Sequence, residues 1–367
     1  MKGQWLGELA GPETAGLVVL DLEDLGVHYG GSAFYVQWEY FDQKDPSPGT
    51  YLQLRFPKLD EVEFEADLFP VAQNGALLND AQMAARFPNW THGHKAKISL
   101  RRTGEWLHVS YATDTPASGA GRLYRARGDA PSAVPAAVRT WDEFRNQILE
   151  LPPRRFIFRG QYAPKRLRTT FHRYGRSDLL RFVTQDVEEC HKALTPLTNH
   201  YYDFKDPKQF GAFLGLMQHH GYPTPFLDWT YSPFIAAFFA FRNECSDEVA
   251  RIFVFDVAAW CDDYIQNDRI TFIPTHFSFT ELMNVENARA GPQQAVSTAT
   301  NIDDIEHFVS IQEKRRDKSY LTAIDIPHSE RGKILAELSL MGITAASLMP
   351  GLDGACEMLK HRMFGYV

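Results

Sequence analysis

An arginine at the end of an apolar strand is costly to bury unless it meets an anion or a carboxylate, and Arg159 stands there after Phe156-Ile157-Phe158. Gly160 follows, breaking the strand where another backbone or a ligand can come close, and then Gln161. A second polar set lies in Gln218 to Ala240, QHHGYPTPFLDWTYSPFIAAFFA, where His219, His220, Tyr222, Asp228, Trp229, Thr230 and Ser232 adjoin a strongly apolar run. The pair Gln293-Gln294 is a third. A forked guanidinium suits an anion or a carboxylate, hydroxyls and amides suit a polar ligand, and an imidazole titrating near neutral pH suits proton transfer. Each residue also has a plainer role. Arg159 can sit in a structural ion pair with Asp228 or another acid, Asp228 and Ser232 can cap a core helix, Trp229 can fill a cavity, and either histidine can be a hydrogen-bonded core residue.

The elements that must hold these residues can be read locally. Pro223 and Pro225 keep themselves and their predecessors out of the α region, so Pro225-Phe226-Leu227 reads as a strand that ends at Asp228-Trp229-Thr230. Ser232 is a good N-cap, Pro233 suits the first helical position, and a helix apolar all round from Phe234 to Phe241 must be buried. Strand, polar corner and buried helix together make a geometry suited to binding. Thr140 with Glu143 three residues on is a capping box that opens a helix, and Pro152-Pro153 ends it. Apolar spacing predicts further helices over Asp178 to Leu194, Asp206 to Gln218, Asn301 to Lys314 and Ser329 to Met341, and a strand over Arg251 to Val257. The run Lys314-Arg315-Arg316-Asp317-Lys318 reads as a solvated helix end.

Residues 1–125 read instead as all-β. Short apolar runs at 16–21, 33–38, 50–55, 62–66, 96–100 and 106–111 are separated by Gly, Pro, Asp and Asn, with clear alternation in Tyr51-Leu52-Gln53-Leu54-Arg55. Between Thr113 and Ala137 the composition shifts to Ala, Ser, Gly and Pro, and a linker at 126–138 divides the β-rich part from residues 139–367. The fold class expected is α+β: an N-terminal all-β barrel or sandwich followed by a mixed α+β domain. With 367 residues, two domains each have enough chain to bury a core without disulfides or metal. The net charge of -8 argues against broad attraction to nucleic-acid backbones or anionic lipid, leaving room for a local basic groove. No run reaches membrane-spanning length and the Met-Lys-Gly-Gln-Trp start has no apolar signal core, which points to a cytoplasmic protein. Cys190, Cys245, Cys261 and Cys356 form no Cys-x-x-Cys pair, adjacent His219 and His220 point apart on an extended chain, and neither a His-Glu-x-x-His motif nor a Walker glycine loop is present. No metal is expected.

Phe158-Arg159-Gly160 on a strand, then Gln218-His219-His220-Gly221 through Leu227-Asp228-Trp229-Thr230 and Ser232-Pro233, then Arg251 to Phe255, then Asn287 to Gln294, together resemble the FRG domain family, named for its Phe/Tyr-Arg-Gly motif. Ile326-Pro327 and Leu338 through Gly354 resemble that family's C-terminal part, so the likeness runs from Trp141 to Lys360; Ala295 stands where the family usually has Gly. The opening Gly3-Gln4-Trp5-Leu6-Gly7, Gly30-Gly31 and Arg102 to Trp106 resemble small up-and-down barrels of the calycin type, a natural sensor or docking module. The order of Arg strand, Thr/Ser strand leading into a helix, and late Gln resembles the ADP-ribosyltransferase superfamily. That resemblance implies NAD as substrate, with Arg159, Thr230, Gln293, Gln294 and His220 in catalytic roles. It implies Arg159, Gly160, Gln161, His219, Tyr222, Asp228, Trp229 and Ser232 around the dinucleotide, Tyr222 or Trp229 stacking on a base, and Asp228 or Glu281 supplying the negative charge that a Gln lacks. The implied partner is a protein or nucleic-acid acceptor, as in a bacterial toxin or phage-defence effector. The competing reading is a non-catalytic nucleotide- or peptide-binding module that assembles with a partner through its β domain.

Overall fold

The computed structural model describes residues 1–12, 15–41, 46–126, 128, 130–267 and 273–365. Alternation of apolar and polar residues builds nine strands in the first part of the chain: β1 (Gly3–Ala10), β2 (Ala15–Asp24), β3 (His28–Gln37), β4 (Gly49–Pro57), β5 (Glu61–Asp67), β6 (Phe69–Val71), β7 (Lys95–Thr103), β8 (Trp106–Thr113) and β9 (Ser118–Arg125). They form one antiparallel sheet in the order β5-β7-β8-β9-β1-β2-β3-β4-β6. β9 returns to pair with β1, so the meander curls into a near-barrel whose sheet ends at β5 on one side and β6 on the other. The interior is filled by side chains, among them Trp5, Leu20, Leu54, Phe56, Leu100, Leu107 and Leu123. β1 and β9 carry little of the alternation signal; β9 lies inside the Ala/Ser/Gly-rich stretch whose composition reads as linker.

The second part is a mixed sheet of β10 (Ala136–Val138), β11 (Phe156–Gln161), β12 (Phe226–Thr230), β13 (Val249–Asp256), β14 (Phe277–Thr280), β15 (Ala295–Thr300) and β16 (Leu321–Pro327), in the order β10-β16-β13-β11-β12-β15-β14. Among the described residues the β10–β16 pairing alone is parallel. Helices Trp141–Leu149, Pro207–His219, Pro233–Phe241, Ile305–Arg316 and Arg331–Leu340 form where the apolar spacing places them. Thr140 and Glu143 exchange both capping-box hydrogen bonds, and Ser232 Oγ accepts from Ile235 N-H at the head of the buried Pro233–Phe241 helix. The segment expected as one helix from Asp178 is helical in pieces, with a π-helical stretch at Phe182–Val187 between α-helical turns.

The two parts share a core. Leu6, Leu17, Val19, Phe34 and Val36 on the outer face of the barrel pack in one cluster with Leu227, Trp229, Phe253, Phe255 and Phe308. Buried Gln4 donates to Asp21 at 2.8 Å and to the Asn301 carbonyl at 2.7 Å, and accepts from Asp303 N-H at 2.7 Å. Glu23, also buried, receives Arg176 and Arg181, each at 2.7 Å. The basic helix end at 314–318 is not simply solvated: Arg315 donates to the Trp38 carbonyl and lies over its indole, Arg316 donates to the Phe41 carbonyl, and Lys318 pairs with Asp263. A run of charge carries no record of the carbonyls it will meet across a domain boundary. Among the described residues no helix is long and apolar enough to cross a membrane.

Candidate functional site

β11 and β12 meet at one position, Phe158 opposite Thr230, and then part. The register would set Gly160 opposite Asp228, yet no ladder forms there, and the strands open into a cleft of about 1120 Å³. The Asp228 carbonyl that has lost its strand partner is met by the Arg159 guanidinium, Nη1 to O at 2.5 Å. This is a main-chain contact and not the expected ion pair. Among the described residues no carboxylate lies within ion-pairing distance of Arg159, and its Nε is buried without any partner. Burial pulls its pKa down to about 10, opposed by the Asp228 charge and reinforced by nearby Arg173. A guanidinium held this way retains donors for an anion that approaches through the cleft.

The glycine that follows has a structural cause. A Cβ on Gly160 would lie 1.8 Å from the Ala236 carbonyl oxygen and 2.9 Å from Ala240 N, so its absence lets the Pro233–Phe241 helix press directly on β11. Gln161, also at the cleft, is buried with its Nε2 unpartnered.

On the opposite wall, Asp228 is exposed, and its carboxylate accepts from Gln218 Nε2, whose Oε1 in turn accepts from the Thr224 hydroxyl. This relay fixes the carboxylate at the mouth of the opened sheet. Thr230 Oγ donates to the Gln293 carbonyl at 2.8 Å and accepts from Ser232 N-H at 3.0 Å, which ties the 287–294 loop to the strand-helix corner. Gln293 lines the cleft, but its amide donates to the Leu348 carbonyl at 2.9 Å and so braces the C-terminal region. Gln294 is exposed in a left-handed conformation (φ 45°), outside the cleft lining.

The remaining candidates divide by side-chain direction. His219 lines the cleft, and partial burial lowers its pKa, with Arg289 and His220 adding to the effect and Asp228 opposing it. His220 is the exposed C-cap of the same helix. Trp229 edges the cleft while its indole is buried against Phe255 and donates to Thr298 Oγ at 3.0 Å. Tyr222 packs on Phe182 away from the cleft, and burial pushes its hydroxyl pKa upward. Ser232 is used as the helix cap. Glu281, outside the cleft lining, accepts from Tyr231 at 2.8 Å and Arg154 at 3.1 Å. The structure thus brings Arg159, Gly160, Gln161, His219, Asp228, Trp229, Thr230 and Gln293 to one cleft, and leaves His220, Tyr222, Ser232 and Gln294 outside its lining.

Three lining residues were given no role in the sequence reading. Arg173 and Arg289 have no carboxylate in ion-pairing distance among the described residues, and Tyr162, 39 % exposed, presents an aromatic ring that Lys165 Nζ covers on one face at 4.2 Å from its centroid. Burial lowers the Arg173 pKa, with Arg168 reinforcing it. Arg289 was visible within Asn287 to Gln294, whereas Arg173 sits in a short helical turn, Thr170–Arg173, with no pattern to single it out. Among the described residues no group of three or more His, Cys, Asp or Glu is placed to hold a metal.

The FRG domain family's sequence model matches residues 154–248, the segment that supplies Arg159, Gly160 and the Gln218–Thr230 wall. The chain is an FRG-domain protein. Its FRG motif is the point where β11 separates from β12 and where the buried helix packs directly against the strand at Gly160. No curated protein and no solved structure matches the chain.

Proposed function

We propose that the FRG cleft binds a pyrophosphate-bearing nucleotide, with NAD⁺ as the substrate, and that the protein cleaves the nicotinamide glycosidic bond, passing ADP-ribose to water or to a macromolecular acceptor. The observation that carries this reading is Arg159: a cation at the cleft whose buried Nε has no partner and which, among the described residues, no carboxylate pairs with directly. Arg173 and Arg289 add positive charge at the same cleft, and about 1120 Å³ is ample for a dinucleotide. Pyrophosphate held between these guanidinia would leave Tyr162 to stack on a base.

Heterolysis of the bond between nicotinamide and ribose sends neutral nicotinamide away and leaves positive charge on the ribose carbon. A carboxylate stabilises that charge better than an amide does. Asp228, held by Gln218, is better suited to this role than the Gln pair, because the Gln293 amide is engaged by Leu348 and Gln294 lies outside the cleft lining. His219, whose pKa is lowered by partial burial, is the base at hand for the incoming nucleophile. An effector that modifies a protein or nucleic acid would have this arrangement.

The same engagement of Gln293 favours a second reading, a nucleotide-binding module without turnover, since no glutamate takes the late position. Incubation with NAD⁺, following nicotinamide release in the wild type and in Asp228→Asn, separates the two. Turnover lost in Asp228→Asn with binding retained supports the enzyme; binding without release in the wild type, across candidate protein and nucleic-acid acceptors, supports the module.

A further inference from the structure

A second cavity, of about 550 Å³, lies where the barrel meets the mixed sheet. Among the described residues its lining carries five cations, Lys2, Arg125, Arg168, Arg173 and Arg176, against two carboxylates, Glu105 and Asp303. Arg168 is paired with Asp303, and Arg176 with Glu23 and Asp186. Lys2 and Arg125 from the barrel and Arg173 from the FRG domain have no carboxylate in ion-pairing distance among the described residues. At Gly3, φ +113°, a Cβ would crowd Arg125 Nε at 3.3 Å, and Lys2 Nζ lies beside Gly175. Two further donors at the cavity are left over: the hydroxyl of Ser177, which is 2 % exposed, and Arg176 Nη2, both buried without a partner. Buried donors without acceptors beside uncompensated cations describe a place for an anion.

We propose that this interdomain cavity is a second anion site, which takes the phosphates of a small nucleotide and reports its presence to the FRG cleft through Arg173. Arg173 lines both spaces, so an anion in the interdomain cavity draws on the positive charge that the cleft shares. The ligand spans the junction, with Lys2 and Arg125 on one side and Arg173 and Ser177 on the other, and it rigidifies the contact between barrel and FRG domain. The cavity is of a size for a nucleoside diphosphate. This site stands on its own geometry and does not depend on the chemistry proposed for the cleft.

The test is amide hydrogen exchange on the full chain with ADP as probe, in the wild type, Arg125→Gln, Lys2→Gln and Arg159→Ala. ADP should slow exchange at residues 2–4 and 173–177 in the wild type and in Arg159→Ala. Arg125→Gln and Lys2→Gln should each raise the ADP concentration needed there by about tenfold, while protection around 159–161 persists. Inorganic pyrophosphate and a short oligothymidylate form the other arms. Pyrophosphate should compete with ADP for the same segments; protection by the oligonucleotide as well would assign the phosphates to a nucleic-acid source and overturn the small-nucleotide assignment. Absence of protection at 2–4 and 173–177 with any phosphate probe, or its loss in Arg159→Ala alone, would remove the second site and leave the reading of the cleft untouched.

Discussion

Gly160→Ala probes the FRG motif at its most constrained atom. The added methyl carbon would lie 1.8 Å from the Ala236 carbonyl oxygen, against an ordinary carbon-to-oxygen approach of about 3.3 Å, so the Pro233–Phe241 helix must retreat by about 1.5 Å. The helix has little room to do so. Ile235, Ala236, Ala237, Phe238, Ala240 and Phe241 are all 5 % exposed or less, and they share a core cluster with Ile334, Leu335 and Leu338. Overpacking of this kind costs about 1–3 kcal/mol, and a clash with main chain, which cannot rotate away, belongs at the upper end. In urea, with a slope of roughly 2–3 kcal/mol per molar, the midpoint should fall by about 1 M, read by circular dichroism and by tryptophan fluorescence in parallel. A midpoint within about 0.2 M of wild type, together with lost ADP or NAD⁺ binding, would refute the argument and make Gly160 a ligand-contact residue instead.

Gln4→Ala should destabilise the junction by about 2–4 kcal/mol, because it orphans the Asn301 carbonyl and the Asp303 N-H together; a thermal scan that shows the barrel and FRG domain melting apart would display the loss. Burial holds His172 and His276 down to about 4, below the ordinary 6.5, so both bind protons more readily when unfolded. Their contribution is intact above pH 6.5 and is lost as pH falls from 6.5 towards 4, at most about 3 kcal/mol each; Asp21, pushed up by burial, acts in the opposite sense, so the comparison is of His172→Gln with wild type across that window, where the variant should show the shallower decline. Trp229→Phe removes the donor to buried Thr298 and should cost about 1–3 kcal/mol in denaturant unfolding, with nucleotide affinity unchanged if the indole serves the core.

The elements that place the site were legible because their signals are local. Proline pairs, Ser232-Pro233 and the Thr140/Glu143 box act within a few residues, and alternation marks β4 and β8 without reference to partners. β9 was hidden because its Ser-Gly-Ala-Gly start looks like linker, and its identity as a strand depends on β1 and β8 being beside it. Residue type and order singled out Arg159, Asp228 and Thr230, which do line the cleft, but direction is a tertiary property. Whether Trp229 faces the cleft or the core depends on which face of β12 meets Phe255, and whether Gln293 is available depends on Leu348, distant in the chain. Arg173 and the interdomain cavity were beyond reach, since that cavity exists only once the barrel docks.

Arg159→Met tests the account most directly, with unfolding free energy and NAD⁺ affinity measured on the same preparation. A guanidinium buried without a counter-charge adds little to the stability of the free protein, so the apolar replacement should leave unfolding unchanged or raise its free energy by about 1 kcal/mol. NAD⁺ affinity should fall at least tenfold, about 1.4 kcal/mol or more. A variant destabilised by about 3 kcal/mol whose NAD⁺ affinity is unaltered would make Arg159 a structural brace for the Asp228 carbonyl and contradict the assignment of the FRG cleft as an anion site.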